Sequence, residues 1–166
     1  MKKVLFTLIL SLALQSCDWI KSLGPEEPFF CKINGQKFRP DKDTRSFGWG
    51  GGAPINISWN KDTGYLFISV TNSPRVVSLI LSLDTKIVEK MDLTFNGNTN
   101  SSKGIFTPEK IYSKPTIDLI STSGKASITK VDGYHIWGTF EFTCKDSTNN
   151  KEYRITEGEF NKLSYY

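Results

Sequence analysis

The chain has 166 residues and a formal net charge of +4 at neutral pH, from 21 basic and 17 acidic side chains. This near-balance, without any cluster of Lys and Arg, argues against nucleic acid as a partner. Residues that favour strands are abundant, with 11 Phe, 6 Tyr and 4 Trp. Long helix-forming stretches are missing, so the composition predicts an all-β protein.

The first 16 residues have the pattern of a signal peptide. Lys2 and Lys3 precede an apolar stretch at 4–14. Eleven helical residues rise about 16 Å, roughly half of the 30 Å hydrocarbon core of a bilayer. The stretch therefore fits a cleaved signal rather than a membrane span. Removing residues 1–16 takes away two lysines and leaves a formal charge of about +2.

The segment Leu14-Gln15-Ser16 directly precedes Cys17, and this arrangement resembles the lipobox of bacterial lipoproteins. The resemblance implies a diacylglycerol on Cys17, cleavage of the chain before Cys17 and acylation of the new N-terminus. Two acyl chains are enough for stable membrane anchoring. We therefore expect a membrane as one partner, reached through the lipid on Cys17. An ordinary signal peptide followed by an incidental cysteine is the alternative.

The remainder of the chain divides into a tether at 17–28, which contains Gly and Pro residues, and a β domain at 29–166. Asn34-Gly35 between two short apolar segments predicts a tight β-hairpin. Alternating segments bounded by turn signals continue along the chain, with separate short strands expected at 117–120, 126–131, 153–156 and 160–163. The pattern predicts roughly nine to eleven strands, arranged as a single antiparallel β-sandwich or a flattened barrel.

Two cysteines, Cys31 and Cys144, remain if Cys17 is lipidated. Strand alternation places both on apolar faces, and the residues that share the face of Cys144 are Tyr134, Ile136, Phe140 and Phe142. An exported compartment permits a disulfide between them, which stabilises by up to about 4–5 kcal/mol in the chain-entropy model. Two buried free thiols are an equal alternative. No metal or other cofactor is expected, since no histidine accompanies these cysteines.

Three residues are candidates for a ligand platform. Trp49 lies in a glycine-rich loop at 48–52, and Trp137 and His135 share the outward face of one predicted strand. Amphipathic rings of this kind suit binding of sugars or peptides. Packing of the rings against a neighbouring loop is the simpler interpretation. His135 is the only histidine of the chain, and no nucleophile or orienting acid accompanies it in the sequence, so no catalytic residue is expected.

The C-terminal third carries motifs that resemble a known group of proteins. Gly124–Asp132, Gly138–Phe142 and Ile155–Phe160, together with Phe30–Gly35, resemble a family of uncharacterised lipoproteins from Bacteroidota. The resemblance implies a small β-rich domain behind a lipobox, and it implies no activity. Ser147, in Asp146-Ser147-Thr148, resembles the O-glycosylation sites of these bacteria and is a candidate for that modification.

The expected location is the bacterial cell envelope, with the protein lipid-anchored in the outer membrane and facing the periplasm. Surface lipoproteins of Bacteroidota often carry an acidic run after the lipidated cysteine, and here only Asp18 is adjacent. We expect a non-enzymatic binding or structural module whose partner is an envelope protein or glycan. A lipocalin-like carrier of an apolar ligand is the first alternative, and an envelope glycan hydrolase with paired carboxylates is the second.

Overall fold

Alternating apolar residues form ten strands and no helix in the part of the chain that the structure, a computed structural model, describes: residues 27–43, 53–83, 87–96, 101–109 and 117–165. The predicted signal peptide, Cys17, most of the tether and Trp49 lie outside these residues. The strands are β1 (Phe29–Ile33), β2 (Gln36–Phe38), β3 (Ile55–Asn60), β4 (Tyr65–Asn72), β5 (Arg75–Ser82), β6 (Met91–Phe95), β7 (Lys103–Thr107), β8 (Leu119–Asp132), β9 (His135–Lys145) and β10 (Glu152–Ser164).

All strands belong to one antiparallel sheet in the order β2-β1-β10-β9-β8-β7-β5-β4-β3, with β6 paired to β8. The sheet curls into a half-barrel. Its curvature brings the chain after β2 against the end of β4, where the Asp41 amide donates to the Thr71 carbonyl at 2.9 Å. The all-β, antiparallel prediction of nine to eleven strands is confirmed. Of the two predicted forms, the flattened barrel is the nearer description.

The concave side of the sheet is filled by the inward side chains of successive strands. Its largest members are aromatic, and the fully buried ones are Phe29, Phe38, Phe95, Phe106 and Phe160. Ring contacts connect them across strands, as in the 5.2 Å separation of the Phe29 and Phe140 centroids. Among the described residues, no buried side-chain nitrogen or oxygen lacks a hydrogen-bond partner. The alternation of the sequence therefore produces one continuous apolar core.

In the β9–β10 pair, a glycine of each strand lies opposite a phenylalanine of the other strand. Gly138 is opposite Phe160, and Gly158 is opposite Phe140. A Cβ atom on Gly158 would lie 2.6 Å from the Phe140 ring, and one on Gly138 would lie 2.6 Å from Cε2 of Phe160. Each glycine thus provides the space in which the ring of the opposite strand packs. This pairing is the structural meaning of the repeated Gly and Phe in the C-terminal motifs.

Two strands are longer than predicted. The end of the segment expected at 117–120 and the whole of that expected at 126–131 belong to β8, which begins at Leu119, and those at 153–156 and 160–163 belong to β10. Irregular register in β10 replaces the expected break, because the pairing with β9 shifts between Ile155 and Gly158. Glu157 adopts a φ of 50° there, as in a β-bulge. The predicted tight turn is confirmed, since Asn34 and Gly35 have φ values of 49° and 80°.

Candidate ligand-binding site

A cleft of about 330 Å³ opens beside Ile33, at the C-terminal end of β1. The N-terminal end of β1 follows Pro28, whose carbonyl accepts a hydrogen bond from the backbone amide of Asn161 at 3.0 Å. Strand β1 starts opposite Phe160 and ends opposite Ile155. Residues on or next to β1, β2, β5, β7 and β10 line the cleft, and they are Ile33, Asn34, Gln36, Arg75, Phe106, Pro108, Lys151 and Tyr153.

The floor of the cleft is aromatic. Phe106 of β7 and Tyr153 of β10 have ring centroids 5.0 Å apart at an interplanar angle of 56°. Phe106 is buried and Tyr153 is half-buried. Tyr153 lines the cleft, and the Lys151 ammonium, 4.9 Å from its centroid, covers part of its ring. Pro108, directly after β7, adds a further apolar surface. Aromatic and apolar surfaces of this kind suit the apolar part of a small ligand.

Two positive charges stand at the rim. The Arg75 guanidinium lies 5.8 Å from the centroid of the Phe38 ring, and the Lys151 ammonium lies 4.9 Å from that of Tyr153. Both arrangements are favourable cation–π contacts. The ion pairs within the described part of the chain involve other lysines and arginines, so neither cation has a carboxylate partner there. None of the lining residues is Asp or Glu.

Asn34 fixes the hairpin turn onto β10 at the mouth of the cleft. Its Oδ1 accepts a hydrogen bond from the Arg154 amide at 2.8 Å, and its Nδ2 donates to the Glu152 carbonyl at 3.4 Å. The Asn34 amide itself donates to the Arg154 carbonyl at 2.9 Å. With its side chain occupied in this way, Asn34 shapes the cleft, whereas the exposed side chain of Gln36 is available to a ligand.

The two cysteines that were candidates for a disulfide are both free and buried. Strand β10 lies between the strands that carry Cys31 and Cys144. At a spacing of about 4.8 Å between neighbouring strands, they are roughly 10 Å apart across the sheet. A disulfide needs Cα atoms within about 7 Å. The disulfide alternative is therefore wrong for this structure, and the alternative of two free thiols is the one observed.

Burial controls the chemistry of both thiols. Desolvation raises the pKa of Cys31 from 9.0 to about 12, although the positive charge of Arg75 opposes part of this rise. Desolvation likewise raises the pKa of Cys144 to about 12. A thiol with so high a pKa is almost never a thiolate at neutral pH and is a poor nucleophile. Both cysteines therefore act as core residues.

The predicted platform is only partly within the described residues. His135 and Trp137 are adjacent, with ring centroids 6.4 Å apart, and both are half-buried. The Lys130 ammonium lies 4.5 Å from the Trp137 centroid, so that neighbours cover part of the indole. Trp49, the third proposed member, lies outside the described residues. Tyr134, expected on the inner face, lies instead in the β8–β9 turn and is 67% exposed, because the turn occupies Gly133-Tyr134.

Ser147, the candidate for O-glycosylation, is exposed in the loop between β9 and β10. Asp146 organises this loop, since its Oδ1 accepts hydrogen bonds from the hydroxyl and the amide of Thr148 at 2.6 and 2.9 Å. These hydrogen bonds lower the pKa of Asp146 below its ordinary value. The loop therefore presents Ser147 outward on a defined turn, and it leads directly into Lys151 at the cleft.

Sequence reasoning did not find the cleft. Arg75, Lys151 and Tyr153 belong to segments far apart in the chain, and the curl of the sheet brings them together. The lack of an ion-pair partner for either cation among the described residues is a property of the folded surface and leaves no spacing pattern. Among the described residues, no group of three or more His, Cys, Asp or Glu side chains is arranged to hold a metal ion.

The fold places the chain in the class of all-β proteins with a curled antiparallel sheet. Comparisons with known protein families, with curated proteins and with solved structures find no match. No helix in the described residues is long and apolar enough to cross a membrane.

Proposed function

We propose that this protein is a lipid-anchored binding module of the bacterial cell envelope and that it is not an enzyme. The observation that carries the binding part is the cleft, which joins two aromatic rings to two cations that have no ion-pair partner in the described part of the chain. The anchoring part rests on the lipobox-like sequence before Cys17. The proposed partner is an envelope glycan or protein, and the motifs at 124–132, 138–142 and 155–160 support membership in the Bacteroidota lipoprotein family.

The position of the cleft agrees with an anchored protein. Glu27 and Pro28 join β10 near Asn161, through the 3.0 Å hydrogen bond of the Asn161 amide and the 2.9 Å hydrogen bond of its side chain. The cleft is at the other end of β1. Strand β1 has five residues, and the four steps between them separate its two ends by roughly 14 Å. A lipid on Cys17 would thus hold the domain by one end and leave the cleft accessible to a partner.

Packing within the half-barrel argues against the two alternatives. A lipocalin-like carrier keeps a cavity for its ligand, whereas the concave side of this sheet is filled by phenylalanine rings. A glycan hydrolase of the usual kind places two carboxylates on either side of its substrate. The cleft has no carboxylate among its lining residues, so binding without turnover is the better-supported activity.

Replacing Cys17 with Ala is expected to move the protein from the membrane fraction to the soluble fraction of a bacterial host. Because two acyl chains provide most of the membrane affinity, the shift should be nearly complete. The measurement is immunoblotting of both fractions with intact-mass analysis of the protein. Cys31→Ala is the matched control and should remain in the membrane fraction. An unlipidated wild-type chain would contradict the anchoring proposal.

Soluble glycan fractions prepared from the envelope are expected to raise the melting temperature of the protein without being consumed. A ligand that binds only the native state adds stability of RT ln(1 + [L]/Kd), about 2.7 kcal/mol at a concentration of 100 Kd. The readouts are thermal unfolding and the mass spectrum of the glycan before and after incubation. Shortened glycan products that depend on the protein would show an enzyme and overturn the proposal. Envelope proteins tested in the same assay cover the other class of partner.

A further inference from the structure

We infer that the cleft binds a small ligand that carries an anionic oxygen group, a carboxylate or a phosphate, next to a ring or another apolar part. This inference rests on the proposed function and specifies the chemistry of the ligand. It follows from the pairing of two cations, Arg75 and Lys151, with the aromatic floor of Phe106 and Tyr153.

The charge of the cleft is the first argument. Arg75 is half-buried and lies over the ring of Phe38, so its guanidinium is partly removed from water and loses less hydration when it binds an anion. Its planar group of N–H donors matches a carboxylate or phosphate in a bidentate manner. Lys151 adds a second positive charge on a flexible stem. None of the described residues that line the cleft is acidic, so none neutralises either charge.

Other cations on the neighbouring strands provide a comparison. Lys32 is 2.7 Å from Glu157, Arg39 is 2.7 Å from Glu27 and Arg154 is 2.7 Å from Glu152. These three side chains lie on or directly beside β1, β2 and β10. Among the described residues Arg75 and Lys151 have no ion-pair partner, as is also true of Lys37 in β2 and Lys162 in β10. Arg75 and Lys151 differ from those two lysines in that both line the cleft.

The size and floor of the cleft limit the rest of the ligand. A volume of about 330 Å³ is at the lower end of the range of roughly 300–1,000 Å³ for small-molecule sites. It suits one sugar ring or a molecule of similar size. The exposed part of Tyr153 and Pro108 would contact the apolar face of such a ring, while Gln36 at the rim offers an amide to its hydroxyl groups.

The test uses four probes that separate charge from ring: glucose, glucuronate, glucose 6-phosphate and inorganic phosphate. Each is titrated into the full-length protein in detergent, and the dissociation constant is taken from the chemical shifts of the amides around Lys151 and Tyr153. We expect glucuronate and glucose 6-phosphate to bind at least tenfold more tightly than glucose, because hydrogen bonds to charged groups are the stronger ones. Tighter binding of one than of the other identifies carboxylate or phosphate as the preferred source of charge.

Substitutions at the rim give the second part of the test. Arg75→Gln combined with Lys151→Gln is expected to weaken binding of both charged sugars by roughly tenfold or more. Lys61→Gln combined with Lys125→Gln removes the same charge elsewhere and should leave binding unchanged. Arg75→Lys keeps the charge but not the planar donors, and it should weaken glucuronate binding less than Arg75→Gln does. Thermal unfolding of each variant shows that it is folded.

Three results would overturn the inference: glucose binding as tightly as the charged sugars, no shift at the cleft with either charged sugar at millimolar concentration, or full affinity in the Arg75→Gln, Lys151→Gln variant. If inorganic phosphate binds as tightly as glucose 6-phosphate, the ring of the ligand adds nothing to the affinity, and the part of the inference that requires a ring is overturned. Failure of this experiment leaves the proposed function intact if the protein still fractionates with membranes and is stabilised by an uncharged envelope glycan. Loss of those two results, with anion binding retained, would instead remove the proposed function.

Discussion

Replacing Gly138 with Ala is expected to lower the free energy of unfolding by about 3 kcal/mol, at the upper end of the usual cost of overpacking a core. A Cβ at this position would overlap the ring of Phe160 and the carbonyl oxygen of Ser127. The ring is fully buried, and the carbonyl belongs to the neighbouring strand β8, so neither has a free direction in which to move. The measurement is urea unfolding at equilibrium, compared with the wild-type protein.

A double-mutant cycle assigns this cost to the ring. Phe160→Ala alone should cost about 3–5 kcal/mol, as for other buried phenylalanines. In the double variant the added methyl group no longer meets the ring, so the combined loss should be smaller than the sum of the two single losses. Additive losses would contradict the proposed packing of Phe160 on Gly138.

Gly133→Ala is the matched control for this cycle. Gly133 has a φ of +58°, and a Cβ added there would meet nothing within 4 Å, so its substitution brings backbone strain without a collision. We expect a cost of about 1–2 kcal/mol there. A loss at Gly138 no greater than the loss at Gly133 would mean that the space over Gly138 is not needed.

The sequence predicts the local features of the fold but not the pairing of its glycines with phenylalanines. The alternation of Ile136, Phe140 and Phe142 identified the inner face of β9 correctly, and Asn34-Gly35 identified the turn between β1 and β2, because both signals are local. The pairing of Gly138 with Phe160 was not predictable. It depends on the register between two strands, and the bulge near Glu157 shifts that register by an amount that no local pattern encodes.

The sequence predicts two short strands in place of the single strand β8 for a related physical reason. Polar residues at 121–125 interrupt the apolar alternation of β8 and predict a loop between two strands. In the fold this part of β8 pairs with β9 on one side. Gly124 and Lys125 also pair with β6 on the other side, where Phe95 is opposite Gly124. Neighbouring strands therefore satisfy the backbone where the side chains show no strand pattern. Where most side chains of a strand are exposed, apolar and polar residues need not alternate, so the sequence does not indicate the strand.

The candidate site was less predictable than the fold. Trp137 and His135 stood out because of their residue types, and the structure confirms that they are adjacent. Arg75 and Lys151 have ordinary surroundings in the sequence, each beside a turn. Their interest arises from what the fold leaves unpaired: nearby Arg154 has Glu152 as a partner at 2.7 Å, and these two cations have none among the described residues. Such a difference exists only after folding.

Raising the pH from 8 to 10.5 is expected to lower the free energy of unfolding by about 4 kcal/mol through Cys31 and Cys144 alone. Both thiols are fully buried, and burial raises the pKa of each from 9.0 to about 12. Between these values the unfolded chain has lost the thiol protons and the folded chain has kept them. The unfolded state then binds fewer protons, so stability falls as the pH rises. The contribution is fully present below pH 9.

The double variant Cys31→Ala, Cys144→Ala isolates this effect from the titration of lysines and tyrosines, which both proteins share. It loses some stability at pH 8 because two buried sulfur atoms are removed. Its unfolding free energy should then decrease less steeply with pH than that of the wild-type protein, by up to about 2.7 kcal/mol per pH unit between pH 9 and 12. Urea unfolding under reducing conditions at several pH values measures both slopes. Parallel slopes would mean that the thiols ionise as easily in the folded protein as in the unfolded chain, and that the core around them admits water.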